Sequence, residues 1–132
     1  MHRSQLAGFI IDCEGDDLDA AADFWGKALG YEVRPPHDPA DDIYRSLDTG
    51  GDRLNIELQR VDHPSRVHLD IEADDVEAEV ERLEALGAKR VKSVKTWWVM
   101  EAPTGHRFCV VGKFHDDFDS TARQWCCLLY TS

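Results

Sequence analysis

The chain has 132 residues, which is enough for one domain or for two small halves that share a core. Its 26 acidic and 15 basic residues give a formal net charge of −11, which disfavours nucleic acids and anionic membrane surfaces as partners because both are negatively charged. No apolar run reaches the roughly 18 residues that a membrane span needs. The N-terminus lacks the pattern of a secretory signal, so a cytoplasmic location is expected.

The four cysteines are Cys13, Cys109, Cys126 and Cys127. None of them forms a C-x-x-C pair, so a zinc knuckle or a thioredoxin-type motif is excluded. Reduced thiols are the expected state.

The sequence repeats one pattern in its two halves. A short apolar strand, an acidic helix start and a glycine stop recur in the same order, so that Phe9 matches Val67 at 58 residues and Gly30 matches Gly87 at 57 residues. Each half therefore encodes the same strand and helix, followed by three more strands.

Two amphipathic helices are predicted, over residues 17–29 and 75–86, each ended by the following glycine. Asp16 or Asp17 can cap the first helix, with Phe24 and Leu29 on its apolar face. Asp74 with Glu77 is a capping-box variant for the second helix. The glutamates at 77, 79, 81 and 84 are predicted to form a solvated outer face.

Three strands are predicted after each helix. They are Tyr31–Arg34, Ile43–Asp48 and Arg53–Arg60 in the first half, and Lys89–Val94, Trp97–Glu101 and Arg107–Val111 in the second. Thr49–Asp52 and Ala102–Gly105 are predicted as hairpins, and Pro35–Asp42 as a loop.

Strict alternation over Arg53–Arg60 and Arg66–Glu72 predicts that each strand has one apolar face packed on the helices, which places Leu69 in the core. The opposite face carries Asn55, Glu57, Gln59, His68 and Asp70. Such a face is either a solvated outer surface or the lining of a cleft. The alternation of polar and apolar residues does not distinguish between these two possibilities.

Trp97 and Trp98 point to opposite faces of their strand, with Trp98 predicted in the core and Trp97 outward, where it could stack on a flat ligand. Arg107 shares its face with Cys109 and could pair with an anionic ligand group. The other histidines, including His2 and His115, are predicted to be solvated in loops or at termini.

The order of these motifs resembles the vicinal oxygen chelate superfamily, with its glyoxalase-like and bleomycin-resistance-like domain proteins. The resemblance rests on three runs, which are residues 24–31 (FWGKALGY), residues 67–71 (VHLDI) with the helix that follows them, and residues 98–111, which form the closing hairpin. It implies an α+β fold of two βαβββ modules whose curled mixed sheets enclose a cleft. The domain would span 1–112, with repeats at about 6–60 and 66–112 and a C-terminal extension at 113–132.

The resemblance also implies the site. His68 and Glu57 would be the acid–base residues, and the ligand would contact Asn55, Gln59, Asp70, Trp97 and Arg107. Metal-using members take one ligand from each of four strands. Here Glu57, His68 and Cys109 occupy three of those positions, but the first strand offers only Gly8 or Ile10. No cofactor is therefore expected, and a divalent metal would use Glu57, His68 and Cys109.

Three functions remain open at this stage. The first is metal-free binding of a small organic molecule, or acid–base chemistry on it. The second is a metal-dependent lyase, isomerase or dioxygenase reaction of the same superfamily. The third is non-catalytic sequestration of a toxic small molecule. A homodimer is expected, and whether the chain is an enzyme is left open.

Overall fold

The computed structural model describes residues 1–36, 43–50 and 54–126, which fall into two compact units. We call Gly8–His68 the first module, and Met1–Ala7 with Leu69–Ser132 the second module. Most of the predicted loop at Pro35–Asp42, part of the hairpin at Thr49–Asp52 and the tail from Cys127 lie outside the described residues. Within the described part, no helix is long and apolar enough to cross a membrane.

The first module has the order strand, helix, strand, strand, strand. Its elements are β1 (His2–Glu14, of which Gly8 onward belongs here), α1 (Leu18–Leu29), β2 (Glu32–Val33), β3 (Tyr44–Asp48) and β4 (Asn55–Val61). The strand order in the sheet is β2-β3-β4-β1. β4 runs parallel to β1 and antiparallel to β3.

The second module repeats this arrangement. Its elements are β5 (Arg66–Ala73, of which Leu69 onward belongs here), α2 (Val76–Ala85), β6 (Lys89–Val94), β7 (Trp97–Glu101), β8 (Arg107–Gly112), α3 (Phe118–Thr121) and β9 (Arg123–Trp125). The strand order is β5-β8-β7-β6, and β9 pairs with the first residues of β1. β5 and β8 are parallel, as β1 and β4 are. The α+β fold of two βαβββ modules is thus confirmed.

Both helices begin at an aspartate cap. The side chain of Asp17 accepts a hydrogen bond of 3.0 Å from the amide of Ala20, and Asp75 does the same for Ala78 at 3.0 Å. The predicted Asp74 capping box is wrong, because Asp74 instead accepts a hydrogen bond of 2.8 Å from the backbone amide of Arg3.

Each module has its own small apolar core. Leu18, Ala22, Leu47 and Leu58 form that of the first module, and Ala73, Val80, Met100 and Val110 that of the second. Trp98 packs against the second core, as its position on the strand predicts. The predicted apolar face of α1 is too wide, since Phe24 and Leu29 are exposed.

The prediction that Leu69 lies in the core is wrong. Leu69 is 43% exposed and its neighbour on the same face, Val67, is 59% exposed. The reason is the placement of α2, which packs on β6, β7 and β8. Alternation shows that one face of β5 is apolar, but it does not show which strands the helix covers.

Candidate functional site

The candidate site is the polar face of the first module's sheet. Strand register places Asp12 beside Gln59 and Gln59 beside Tyr44, and one step along the strands it places Ile10 beside Glu57 and Glu57 beside Ser46. Register partners on neighbouring strands point to the same face. The opposite face carries Leu47 and Leu58 into the core beneath α1. We call the set Asp12, Tyr44, Ser46, Asn55, Glu57 and Gln59 the polar face.

An aspartate and a histidine form the best-defined contact of the module. Nδ1 of His68 donates a hydrogen bond of 2.8 Å to Oδ2 of Asp12, and Nε of Arg66 lies 3.8 Å from the same oxygen. Asp12 is only 2% exposed. Its other oxygen, Oδ1, is buried without a hydrogen-bond partner among the described residues. Burial of a carboxylate is costly unless it is compensated, so the contact with His68 is important for both side chains.

This hydrogen bond fixes the imidazole of His68. A neutral ring that donates through Nδ1 has its basic lone pair on Nε2, so Nε2 is then the atom that can accept a proton. The carboxylate behind the ring also stabilises the imidazolium that would form on protonation. The arrangement is that of a histidine oriented for proton transfer.

Two further pairs order the rest of the polar face. Nε2 of Gln59 donates to the hydroxyl of Tyr44 at 3.1 Å, and Nδ2 of Asn55 donates to Oε1 of Glu57 at 2.7 Å. All four side chains are partly exposed. They therefore present hydrogen-bonding groups in defined orientations to anything that lies on this face.

Within the first module, the positions that the superfamily pattern implies for metal ligands hold Glu57 and His68, but an isoleucine stands on the first strand. Ile10 is the register partner of Glu57, so the first strand contributes an apolar side chain at that point. Among the described residues, no group of three His, Cys, Asp or Glu donors that could hold a metal ion includes Glu57. Three protein ligands are the usual minimum for a catalytic zinc centre. The first module therefore does not fit that ligand set.

The remaining predicted site residues lie in the second module. Asp70 and Cys109 are register partners on β5 and β8, with a carboxylate oxygen and Sγ within 4.8 Å of each other. Nε of Arg107 lies 3.4 Å from Oε1 of Glu101. Trp97 is partly buried on β7, beside Val94. The predicted set is thus divided, with Asn55, Glu57, Gln59 and His68 in the first module and Asp70, Trp97, Arg107 and Cys109 in the second.

Sequence reasoning missed Asp12, which the structure makes the partner of His68. Two signals were present. Asp12 is the only charged residue in the apolar run from Phe9 to Cys13, and it occupies the repeat position of Asp70. A lone acid within a buried strand needs a partner, and that partner can come from far along the chain.

The prediction that Glu79 lies on a solvated outer face is wrong, and so is the solvated placement of His2. Both are buried. Nε2 of His2 lies 2.8 Å from Oε1 of Glu79, and Arg82 donates two further hydrogen bonds of 2.8 Å to the carboxylate. The guanidinium of Arg82 in turn lies 3.8 Å from the ring centroid of Trp125. Residues at the start of β1 and in β9 thus cover a face of α2 that the sequence pattern predicts to be exposed to solvent.

The cysteines of the described residues form no disulfide. Cys13, Cys109 and Cys126 are free cysteines, as expected from their spacing. Burial and the charge of Asp12 raise the pKa of the Cys13 thiol, so this residue is a poor nucleophile.

Two βαβββ modules, together with a sequence that matches a glyoxalase-like domain, place the chain in the vicinal oxygen chelate superfamily. Within it, the chain belongs to the glyoxalase-like domain family, whose sequence pattern it matches over residues 8–111. No match to a curated protein was found.

Solved structures of the same fold support this placement. Methylmalonyl-CoA epimerase from Mycobacterium tuberculosis has 16% sequence identity and a TM-score of 0.59, covering 83% of this chain and 90% of that one. A hypothetical protein from Bacillus halodurans has 14% identity and a TM-score of 0.64, covering 86% and 96%. The Mn(II)-bound glyoxalase from Novosphingobium aromaticivorans has 19% identity and a TM-score of 0.57, covering 87% of this chain and 43% of that one. At these identities the likeness is one of fold.

Proposed function

We propose that the polar face of the first module binds a small polar organic molecule and that His68 transfers a proton to or from it. The observation that carries this proposal is the 2.8 Å hydrogen bond from His68 to the buried carboxylate of Asp12. Superfamily membership supports it at the level of the fold, because one glyoxalase-like scaffold hosts several chemistries on small organic molecules.

In this reaction His68 is the acid–base residue and Asp12 is its positioning residue. The neutral ring accepts the substrate proton at Nε2, and the Asp12 carboxylate stabilises the resulting imidazolium without taking the proton itself. The same ring then returns the proton. This cycle moves one proton between the substrate and the imidazole and needs no metal.

The other polar-face side chains would set the specificity. Tyr44, Gln59 and Asn55 offer donors and acceptors, and Glu57 offers a carboxylate that Asn55 holds from one side. A set of this kind suits a ligand with hydroxyl or carbonyl oxygens, since each of its polar groups can be paired.

The test has a binding step and a chemical step. Saturation-transfer NMR against a panel of small hydroxy-, oxo- and carboxy-compounds identifies ligands of the full chain. Each hit is then incubated with the protein in D₂O, and the exchange of its carbon-bound hydrogens is followed by proton NMR. We expect Glu57→Gln to weaken binding and His68→Gln to slow exchange by at least about a hundredfold. Asp12→Asn should slow exchange while leaving binding nearly intact.

The control is His63→Gln, which changes a histidine of the same module whose ring forms hydrogen bonds with Arg66 and with the carbonyl of Pro64. Exchange that proceeds equally well in His68→Gln would refute the assignment of the acid–base residue. Binding with no exchange by the wild-type chain would refute proton transfer and leave sequestration of the ligand as the function of the same face.

A further inference from the structure

A separate cavity lies in the second module, just after β8. It has a volume of about 290 Å³. Its lining comes from one continuous stretch of chain that runs into α3. The lining residues are Lys113, Phe114, His115, Asp116, Phe118 and Asp119. None of these residues belongs to the polar face, and the proposed function makes no use of them.

A buried glutamate holds the ring of His115 in this cavity. Glu72 has no exposed surface, and its carboxylate accepts hydrogen bonds from the backbone amides of Phe114 at 3.0 Å and His115 at 3.1 Å. The Nδ1 atom of His115 and the side chain of Gln5, at 3.2 Å, complete the set. Burial alone would raise the pKa of Glu72, but these hydrogen bonds together lower it, so the carboxylate is ionised at neutral pH.

The consequence is a fixed imidazole with one nitrogen left to face a ligand. Nδ1 is committed to Glu72, and no described residue forms a hydrogen bond with Nε2. The prediction that His115 is a solvated loop residue is wrong, since its side chain is only 17% exposed. The Glu72 carboxylate thus accepts four hydrogen bonds, of which the one from Nδ1 orients the ring and those from the two backbone amides anchor the chain after β8.

The aromatic side chains of the cavity favour a flat ligand. The ring of Phe114 stacks on that of His115, with centroids 4.6 Å apart and planes inclined by 29°. Phe114 is nevertheless 50% exposed, so about half of its surface remains accessible to a ligand. Aromatic rings that are half exposed beside a cavity are available for stacking and for cation–π contacts.

The charges of the cavity favour a cation. The lining contains two carboxylates, Asp116 and Asp119, and one lysine, Lys113. The chain already places an ammonium group there, since Nζ of Lys113 lies 3.3 Å from Oδ1 of Asp119 and 5.6 Å from the ring centroid of Phe118. The net charge of −11 adds a general attraction for cations and a repulsion for anions.

We propose that this cavity is a second ligand site and that it binds a small planar cation of the aromatic amidine or amino-heterocycle class. The ring of the ligand stacks on Phe114, and its N–H groups donate to the carboxylate of Asp116 beside the imidazole of His115. This site is independent of the proton-transfer function assigned to the first module, so either can fail without the other.

The probe is benzamidine, titrated into the full ¹⁵N-labelled chain and followed by amide NMR spectra. We expect saturable one-to-one shifts of the amides of Phe114, His115 and Asp116. Benzamide, which has the same shape without the charge, should bind about tenfold more weakly, and benzoate should not bind. Phe114→Ala and Asp116→Asn should each weaken benzamidine binding by about threefold or more.

Both variants alter exposed side chains, so the fold is expected to survive, and the same spectra report it directly. The matched controls are Phe24→Ala and Asp62→Asn, which remove an exposed phenylalanine and an exposed aspartate from the first module and should leave the affinity unchanged. Shifts that do not saturate, equal binding of benzoate, or full affinity in Phe114→Ala would each overturn the proposal.

Discussion

His68 and Asp12 are joined by a hydrogen bond of 2.8 Å although they lie 56 residues apart in the chain. The two residues sit on different strands, and Asp12 is buried while His68 is partly accessible. This contact turns an isolated histidine on an alternating strand into an oriented acid–base group. It also determines which ring nitrogen carries the proton, and NMR can measure this.

The first prediction concerns the tautomer of His68. With Asp12 present, the neutral ring should carry its proton on Nδ1, because that atom donates to the carboxylate. Asp12→Ala removes the acceptor, so the population should shift towards a proton on Nε2. Long-range ¹H–¹⁵N correlation spectra of the ring distinguish the two forms. An identical tautomer in both proteins would contradict the assigned hydrogen bond, and Asp62→Asn serves as a control that leaves the ring untouched.

The second prediction concerns Glu79 and pH. Burial would raise the pKa of Glu79, but hydrogen bonds from Arg82, His2 and Ser4 and the charge of Arg82 lower it below its ordinary value of 4.5. At acid pH the unfolded chain therefore binds more protons than the folded one. The stabilisation is present in full above the unfolded pKa and is lost as the pH falls through the folded pKa.

Glu79→Gln should accordingly destabilise the protein at pH 7 by about 3–5 kcal/mol, because Arg82 loses a buried partner. The difference from wild type should narrow below pH 4. Urea unfolding at several pH values measures it, with the exposed neighbour replaced in Glu81→Gln as the control. A difference that stays constant with pH would show that the carboxylate charge is not what stabilises the module.

The third prediction compares two leucines. Leu58 has no exposed surface and lies in the first core, so Leu58→Ala should cost about 2–5 kcal/mol through the cavity it leaves. Leu69 is 43% exposed, so Leu69→Ala should cost less than about 1 kcal/mol. Chemical denaturation of both variants tests the assignment of the faces. Similar losses for the two would mean that another surface covers Leu69 in solution.

The fourth prediction concerns the pairing of β1 with β4. A Cβ atom added at Gly8 would lie 1.9 Å from the backbone oxygen of Asn55, which no backbone contact tolerates. Gly8→Ala should therefore push the two strands apart and destabilise the first module by roughly 1–3 kcal/mol or more. Gly112→Ala is the matched control, since nothing lies within 4 Å of its added Cβ. Equal melting temperatures for the two variants would contradict the observed register.

The sequence by itself determined the elements and their repetition. The bounds of β6 and β7 match the predicted strands, and α1 ends one residue before Gly30, as predicted. These features follow from signals within a few residues, such as a period of two, an aspartate cap and a left-handed glycine, so they can be read locally. The period of two placed Trp97 and Trp98 on opposite faces, but it did not decide which of them packs against the core, where the structure places Trp98.

The tertiary structure decided which polar side chains are buried and with what partner. Asp12 is hydrogen-bonded to His68, and Glu79 is hydrogen-bonded to His2 and Arg82. Leu69 remains exposed although the alternation along its strand predicts that it is buried. The physical reason is common to all three. Periodicity tells which residues share a face, but burial depends on the element that covers that face, and for Asp12 and Glu79 the covering residues come from 56 and 77 positions away.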